Sequence, residues 1–195
     1  MLKIGITGNI GSGKTTICRV FEYLGVAVYY SDAKAKQFYH DVAVKCRIKH
    51  LFGESVFDAE QNVDTKKLAN IVFQNEDLLQ ELNHLIHPLV INDFQEWCSE
   101  QKEQNFVLFE SAIIYQCGLE NLFDKIIFVE SPADLSLQRI VKRDKVDEKS
   151  VKKRLGNQQK NDNGHLLADF IIHNDEKKSL MQEIIKIYKI LNISK

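Results

Sequence analysis

Near the amino terminus, Gly8-Asn9-Ile10-Gly11-Ser12-Gly13-Lys14-Thr15 sets glycines, a lysine and a hydroxyl in the order G-x-x-x-x-G-K-[ST]. That order suits the binding of a polyphosphate. Backbone N–H groups of such a loop close around phosphate oxygens, at the positive end of the helix that follows. Gly11 and Gly13 permit positive φ and let the backbone approach an anion with no Cβ in between. Lys14 is placed to reach the β- and γ-phosphates of a nucleotide, and the Thr15 hydroxyl to help hold Mg²⁺. A glycine-rich turn that binds nothing is the plain alternative. The context favours binding: a short apolar strand, Lys3-Ile4-Gly5-Ile6-Thr7, comes before, and a helix with Ile17, Val20, Phe21 and Leu24 on one face comes after.

Asp32 is the second candidate. It lies just past the apolar run Val26-Ala27-Val28-Tyr29-Tyr30, at the carboxyl edge of a parallel sheet, where ligands collect. The phosphate loop is expected at a neighbouring strand end on that edge. A carboxylate there could take the proton from a hydroxyl attacking a γ-phosphate. Ser31 or Asp32 could also cap the next helix, a compatible role. Glu110 ends a later strand on the same edge and either acts through water on Mg²⁺ or is a surface glutamate. Arg139, Arg143 and Arg154 are candidates for neutralising a transferring phosphoryl group, because the planar guanidinium binds phosphate oxygens bidentately and keeps its charge. Arg139 and Arg143, four apart, share a helix face. Pairing with Asp144, Asp147 or Glu148 is the alternative for these arginines.

The elements that must position these residues follow from periodicity. Apolar runs at Phe106–Phe109, Lys125–Val129 and Phe170–Ile172 join the two strands above, and their near-absence of polar residues fits a parallel sheet covered on both faces. Residues 33–104 show helical spacing and no strand, with Pro88 marking a kink or the start of a fresh helix. Residues 134–160 are charged and helical, a poor core element that suits a solvated face or a lid. The terminal helix carries Leu180, Ile184, Ile187 and Leu191 on one side. The fold class is α/β: three layers around a five-stranded parallel sheet. A single domain of residues 1–195 is expected, with a core of 1–32, 105–133 and 168–195, a helical insertion at 33–104 and a lid at 134–167.

Composition narrows the class. At 44% hydrophobic and 27% charged, the chain reads as an ordinary globular protein. A net charge of −1 gives no global field for nucleic acid or anionic membrane. No apolar run approaches the ~18 residues of a membrane span, and no signal peptide is visible, so a cytoplasmic location is expected. Cys18, Cys46, Cys98 and Cys117 lie far apart without metal spacing and read as buried or half-buried thiols. The histidines show no zinc-site pairing.

Taken together, these residues resemble the dephospho-coenzyme A kinase family. The opening Gly5-Ile6-Thr7-Gly8-Asn9-Ile10-Gly11-Ser12-Gly13-Lys14-Thr15-Thr16 is similar to that family's G-x-T-G-x-I-G-S-G-K-[ST]. Tyr30-Ser31-Asp32-Ala33 resembles its D-A-D-x motif, with Ser31 in place of alanine. Leu51-Phe52-Gly53, Leu82-Asn83-His84-Leu85-Ile86-His87-Pro88, Arg143-Asp144 and Arg154-Leu155-Gly156-Asn157-Gln158 follow in the family's order. Ala168-Asp169-Phe170-Ile171-Ile172-His173-Asn174 matches its A-D-x-[VI]-[IL]-x-N ending. The chain departs from the pattern where the family's strand-three P-L-L-[FV]-E reads Ala112-Ile113-Ile114-Tyr115-Gln116, and where Lys160 to Leu167 lacks the usual basic residues.

The resemblance implies a phosphate-loop kinase fold and transfer of the γ-phosphate of ATP to the ribose 3′-hydroxyl of dephospho-CoA, with Mg²⁺. It implies that Gly8 to Thr16 hold the nucleotide phosphates and that Asp32 is the base or orienting carboxylate. Lys14 and Arg143 then stabilise the transferred group, with Thr15 at the metal. The insertion, with His87, forms much of the acceptor site, Arg154 of the lid binds the acceptor as well, Arg139 contacts the nucleotide, and Asn174 borders the adenine. A nucleoside monophosphate kinase on the same scaffold is the nearest alternative. A guanine-nucleotide switch is disfavoured by the absence of an N-K-x-D segment. Oligomeric state has no signature in the sequence.

Overall fold

The computed structural model describes residues 1–144 and 164–193. It divides into two compact units, residues 1–30 with 101–195, and Ser31–Glu100.

The first unit holds a five-stranded, all-parallel sheet in the order β2-β3-β1-β4-β5. Its strands are β1 (Leu2–Thr7), β2 (Val28–Tyr30), β3 (Phe106–Glu110), β4 (Lys125–Glu130) and β5 (Phe170–His173). β1 is central, pairing Ile6 with Glu110 of β3 and with Ile127 of β4. β3 pairs its Glu110 with Tyr30 of β2 on its other side. The strand order corrects one expectation: the loop after β1 and the residues after β2 are not at neighbouring strand ends, because β3 runs between them. Glu110 therefore ends the strand that separates the two.

Side-chain alternation sorts the sheet's faces. Ile4, Ile6, Leu108, Ile127, Val129 and Ile172 are fully buried in one cluster with Ile17 and Phe21 of α1 (Lys14–Tyr23). Ile184, Ile187 and Leu191 of the terminal helix (Leu180–Ile193) complete that layer. On the opposite face, Tyr29 stacks on Phe109 at 5.4 Å, and Phe128 meets His165 edge-on at 6.3 Å. Burying strand side chains on both faces is what an all-parallel sheet requires.

The charged segment after β4 holds a surprise. Its described part, α6 (Ala133–Asp144), buries Leu137 and Ile140 against Ile10 of the phosphate loop, so residues 133–144 pack inward where a solvated face was expected. Its amphipathic stripe was masked in the sequence by the lysines and arginines around it. Of the remainder of the expected lid, residues 145–163 with Arg154 lie outside the described residues, and Gly164–Leu167 form a short helix. The segment Ala112 to Gln116 is not in β3; it follows the strand's carboxyl end as a bend and turn. There Ile114 is fully buried and lies so close to Gly5 that a Cβ at Gly5 would come within 2.9 Å of it.

The second unit is helical: α2 (Ser31–Phe38), α3 (Val42–Phe52), α4 (Thr65–Val72) and α5 (Glu76–Glu100), with one isolated bridge between Phe57 and Val63. Asp41 and Asp64 cap α3 and α4 by accepting two backbone N–H bonds each. α5 continues through Pro88 without a break, although the ring removes one backbone donor. Lys34 reaches Asp93 at 3.4 Å and ties α2 to α5. Cys46 is exposed, against expectation, whereas Cys18 and Cys98 are buried. Among the described residues no helix is long and apolar enough to cross a membrane.

Candidate active site

The phosphate loop has the backbone its sequence demands. Gly8, Gly11 and Gly13 all have positive φ, at 140°, 79° and 94°. Each is also packed so tightly that a side chain would collide: Gly8 against the Val129 carbonyl, Gly11 within 2.7 Å of the Ser136 carbonyl, Gly13 against the Asn174 amide. The loop thus presses on β4, α6 and the end of β5 simultaneously. Its Ser12 is wholly buried, while Thr15 and Thr16, on the first turn of α1, are exposed.

Lys14 is buried to 7% exposure and donates from Nζ to the carbonyls of Gly8 at 2.7 Å and Asn9 at 3.1 Å. A buried ammonium needs such acceptors.

Two residues singled out from sequence meet behind the loop. Asn174 donates from Nδ2 to the Ser12 carbonyl at 2.7 Å, a buried bond, and its own backbone N–H reaches the Glu130 carbonyl at 2.8 Å. Arg139 donates to Asn174 Oδ1 at 3.2 Å, to Ser131 Oγ at 3.2 Å and to Glu176 at 2.9 Å. It also stands 3.5 Å from the Ser12 carbonyl. Beside them, Glu130, Ser131, Pro132, His173 and Asp175 line a cleft of about 280 Å³ at the carboxyl ends of β4 and β5. His173 Nδ1 and Glu130 Oε2 stand 2.9 Å apart at its edge, a contact that sequence reasoning missed. Only the register of β4 against β5, which sets these two opposite each other, reveals it.

Glu110 is 8% exposed, so the surface-glutamate reading fails. Its charge is felt nearby. Burial first, and then Glu110, push the Cys18 thiol far above the ordinary cysteine range, leaving it a packed, unreactive group. The same carboxylate contributes to the upward shift of the Tyr30 phenol, which is driven mainly by burial and by its bond to Glu22.

In the helical unit, Asp32 lies in the first turn of α2, the second residue past β2, and is exposed. An acidic side chain there is favoured by the helix dipole. With burial as the larger cause, Asp32 raises the pKa of Tyr39. His87, half-buried on α5, is held below the ordinary histidine range by burial and then by His84, which favours the neutral imidazole. Arg143 lies in the last turn of α6 and is exposed, one turn beyond Arg139.

Comparison with known proteins follows the same lines. The sequence model of the dephospho-CoA kinase family matches residues 2–179. A dephospho-CoA kinase of Fusobacterium nucleatum is 36% identical over 172 residues, covering 88% of this chain and 89% of that protein. Among solved structures, TT1252 from Thermus thermophilus superposes with a TM-score of 0.83 at 26% identity, over 97% of this chain and 95% of that one. Dephospho-CoA kinase from Campylobacter jejuni does so with a TM-score of 0.69, again at 26% identity, over 97% and 96%.

Proposed function

The chain belongs to the dephospho-CoA kinase family, and from that premise we propose how its residues move the γ-phosphate of ATP to the ribose 3′-hydroxyl of dephospho-CoA, the last step of coenzyme A synthesis. The observation that carries the proposal is the phosphate loop. It has positive φ at three glycines and a buried lysine held by two loop carbonyls.

Residues Gly8 to Thr16 cradle the ATP phosphates, with backbone N–H groups as donors at the start of α1. Lys14 trades its carbonyl partners for phosphate oxygens and stabilises charge on the group in transit. Arg143, together with Arg154 in the segment outside the described residues, adds cationic charge to neutralise the group in transit. Asp32 orients the acceptor hydroxyl and accepts its proton, and the helical unit, including His87, holds the rest of the acceptor. Little covalent chemistry is asked of the protein. Alignment and charge neutralisation supply most of the rate.

The site has the donor type for Mg²⁺: the Thr15 hydroxyl and the buried Glu110 carboxylate are both hard oxygen donors. Held by these two residues, Mg²⁺ would supply positive charge to offset that of the phosphates. Thr15 would hold it directly and Glu110 through its water. A cytoplasmic site of action, with no nucleic acid or membrane partner, accords with the near-neutral net charge of −1.

The test is a panel of acceptors. Dephospho-CoA, AMP, CMP and shikimate are each offered with Mg-ATP while ADP is followed. Turnover with dephospho-CoA is expected; turnover with a nucleotide and none with dephospho-CoA would overturn the proposal.

A further inference from the structure

We propose that Asn174 is a positioning residue for phosphate binding: by gripping the Ser12 carbonyl it aims the next loop amide at the anion before the nucleotide arrives. The inference rests on the reading of the loop as the ATP phosphate site. It differs from a role for Asn174 at the adenine.

The argument begins with the peptide unit. No peptide bond in the described residues is cis, so the Ser12 carbonyl and the Gly13 N–H point in opposite directions across their shared plane. Fixing one fixes the other. Asn174 Nδ2 draws the Ser12 oxygen backwards over 2.7 Å, and the Gly13 N–H is thereby turned forwards, away from Asn174. The Ser12 side is wholly buried and Asn174 is 9% exposed, so water does not compete for the bond.

The grip is itself held. Asn174 Oδ1 accepts from Arg139, which settles which end of the amide faces Ser12. Arg139 is fixed in turn by Ser131 and Glu176, and the Asn174 N–H is anchored on the Glu130 carbonyl of β4. Both ends of the amide are thus engaged within the protein. Gly13 completes the device, since any Cβ there would collide with the Asn174 amide nitrogen. Glycine at position 13 is needed for close approach at the back of the loop as well as for its φ of 94°.

Loop positioning and base recognition separate in one experiment. Binding of ATP and of inorganic tripolyphosphate, which has no base, is measured by calorimetry for the full chain and for Asn174→Ala and Asn174→Leu. Dephospho-CoA binding and steady-state kinetics serve as checks on folding. Losing one buried bond, so that the Ser12 carbonyl keeps only its long 3.5 Å contact with Arg139, should weaken both ligands alike, by about fivefold to tenfold. The KM for ATP should rise by that factor while the KM for dephospho-CoA stays put. A loss confined to ATP, with tripolyphosphate unaffected, would overturn the proposal in favour of a base contact; so would unchanged binding of both. Failure of the unmodified protein to bind either ligand would instead overturn the phosphate-loop reading beneath it, and this proposal with it.

Discussion

The Lys14 ammonium and the Gly8 carbonyl are 2.7 Å apart, so the residue expected to hold a phosphate is already satisfied by the first residue of its own loop. The loop is therefore built around a buried, satisfied charge, and on the proposed reading nucleotide binding would exchange the partners of that charge without having to bury it afresh.

Lys14→Ala removes the charge but spares the backbone donors. Its kcat/KM for ATP should fall by about 10²–10³-fold, the range for deleting one preorganised donor at a developing charge. Steady-state kinetics with varied Mg-ATP check this. An unaltered rate would contradict the assignment of this lysine.

Gly11→Ala tests the packing of the loop on α6. A methyl group would come within 2.7 Å of the Ser136 carbonyl and 2.8 Å of Ile140 Cγ1, at a φ of 79° that alanine rarely adopts. Destabilisation of at least about 1 kcal/mol is expected, lowering Tm by about 2–4 °C or more for a chain of this size. Thermal scans with and without ATP should show both a lower Tm and a smaller ATP-induced rise. A normal Tm and a normal rise would mean that the loop does not bear on α6 as described.

His87 gives stability a dependence on pH with a definite sign. The unfolded chain takes up a proton near pH 6.5, whereas burial and His84 lower the folded pKa. Below about pH 6.5 the unfolded state binds more protons, so this contribution is fully present above that pH and is lost as pH falls towards the folded pKa. Urea unfolding at pH 7.5 and 5.5 should show a smaller acid-induced loss for His87→Gln than for the unmodified chain. Equal losses would rule out the effect.

Much of this was legible in the sequence, for reasons that can be stated residue by residue. The loop's spacing is local, and so are the apolar runs that became β1, β3, β4 and β5, each within a residue of its expected bounds. The strand order is not local. Nothing in the run Phe106–Glu110 says that it inserts between β1 and β2, so the place of Glu110 needed coordinates. α6 looked solvated because its cationic residues outnumber the two side chains, Leu137 and Ile140, that bury it. The partners of Asn174 are 162 residues away in the chain for Ser12 and 35 for Arg139, beyond any periodicity argument. Asp169 shows the converse: a motif residue whose visible work is structural. Its carboxylate accepts from the Ile126 N–H at 2.8 Å and from Lys125 at 2.7 Å, fastening the approach to β5 onto the start of β4.

Asp32, the exposed carboxylate two residues past β2, is the group proposed to ready the acceptor hydroxyl. The most direct measurement is kcat for Asp32→Asn with saturating Mg-ATP and dephospho-CoA, alongside its ATP affinity. The account predicts ATP binding within about twofold of normal and a kcat lower by about 10²-fold or more, the range for a positioned acid–base group. A kcat equal to that of the unmodified protein would contradict it and leave Asp32 a residue of the helix start alone.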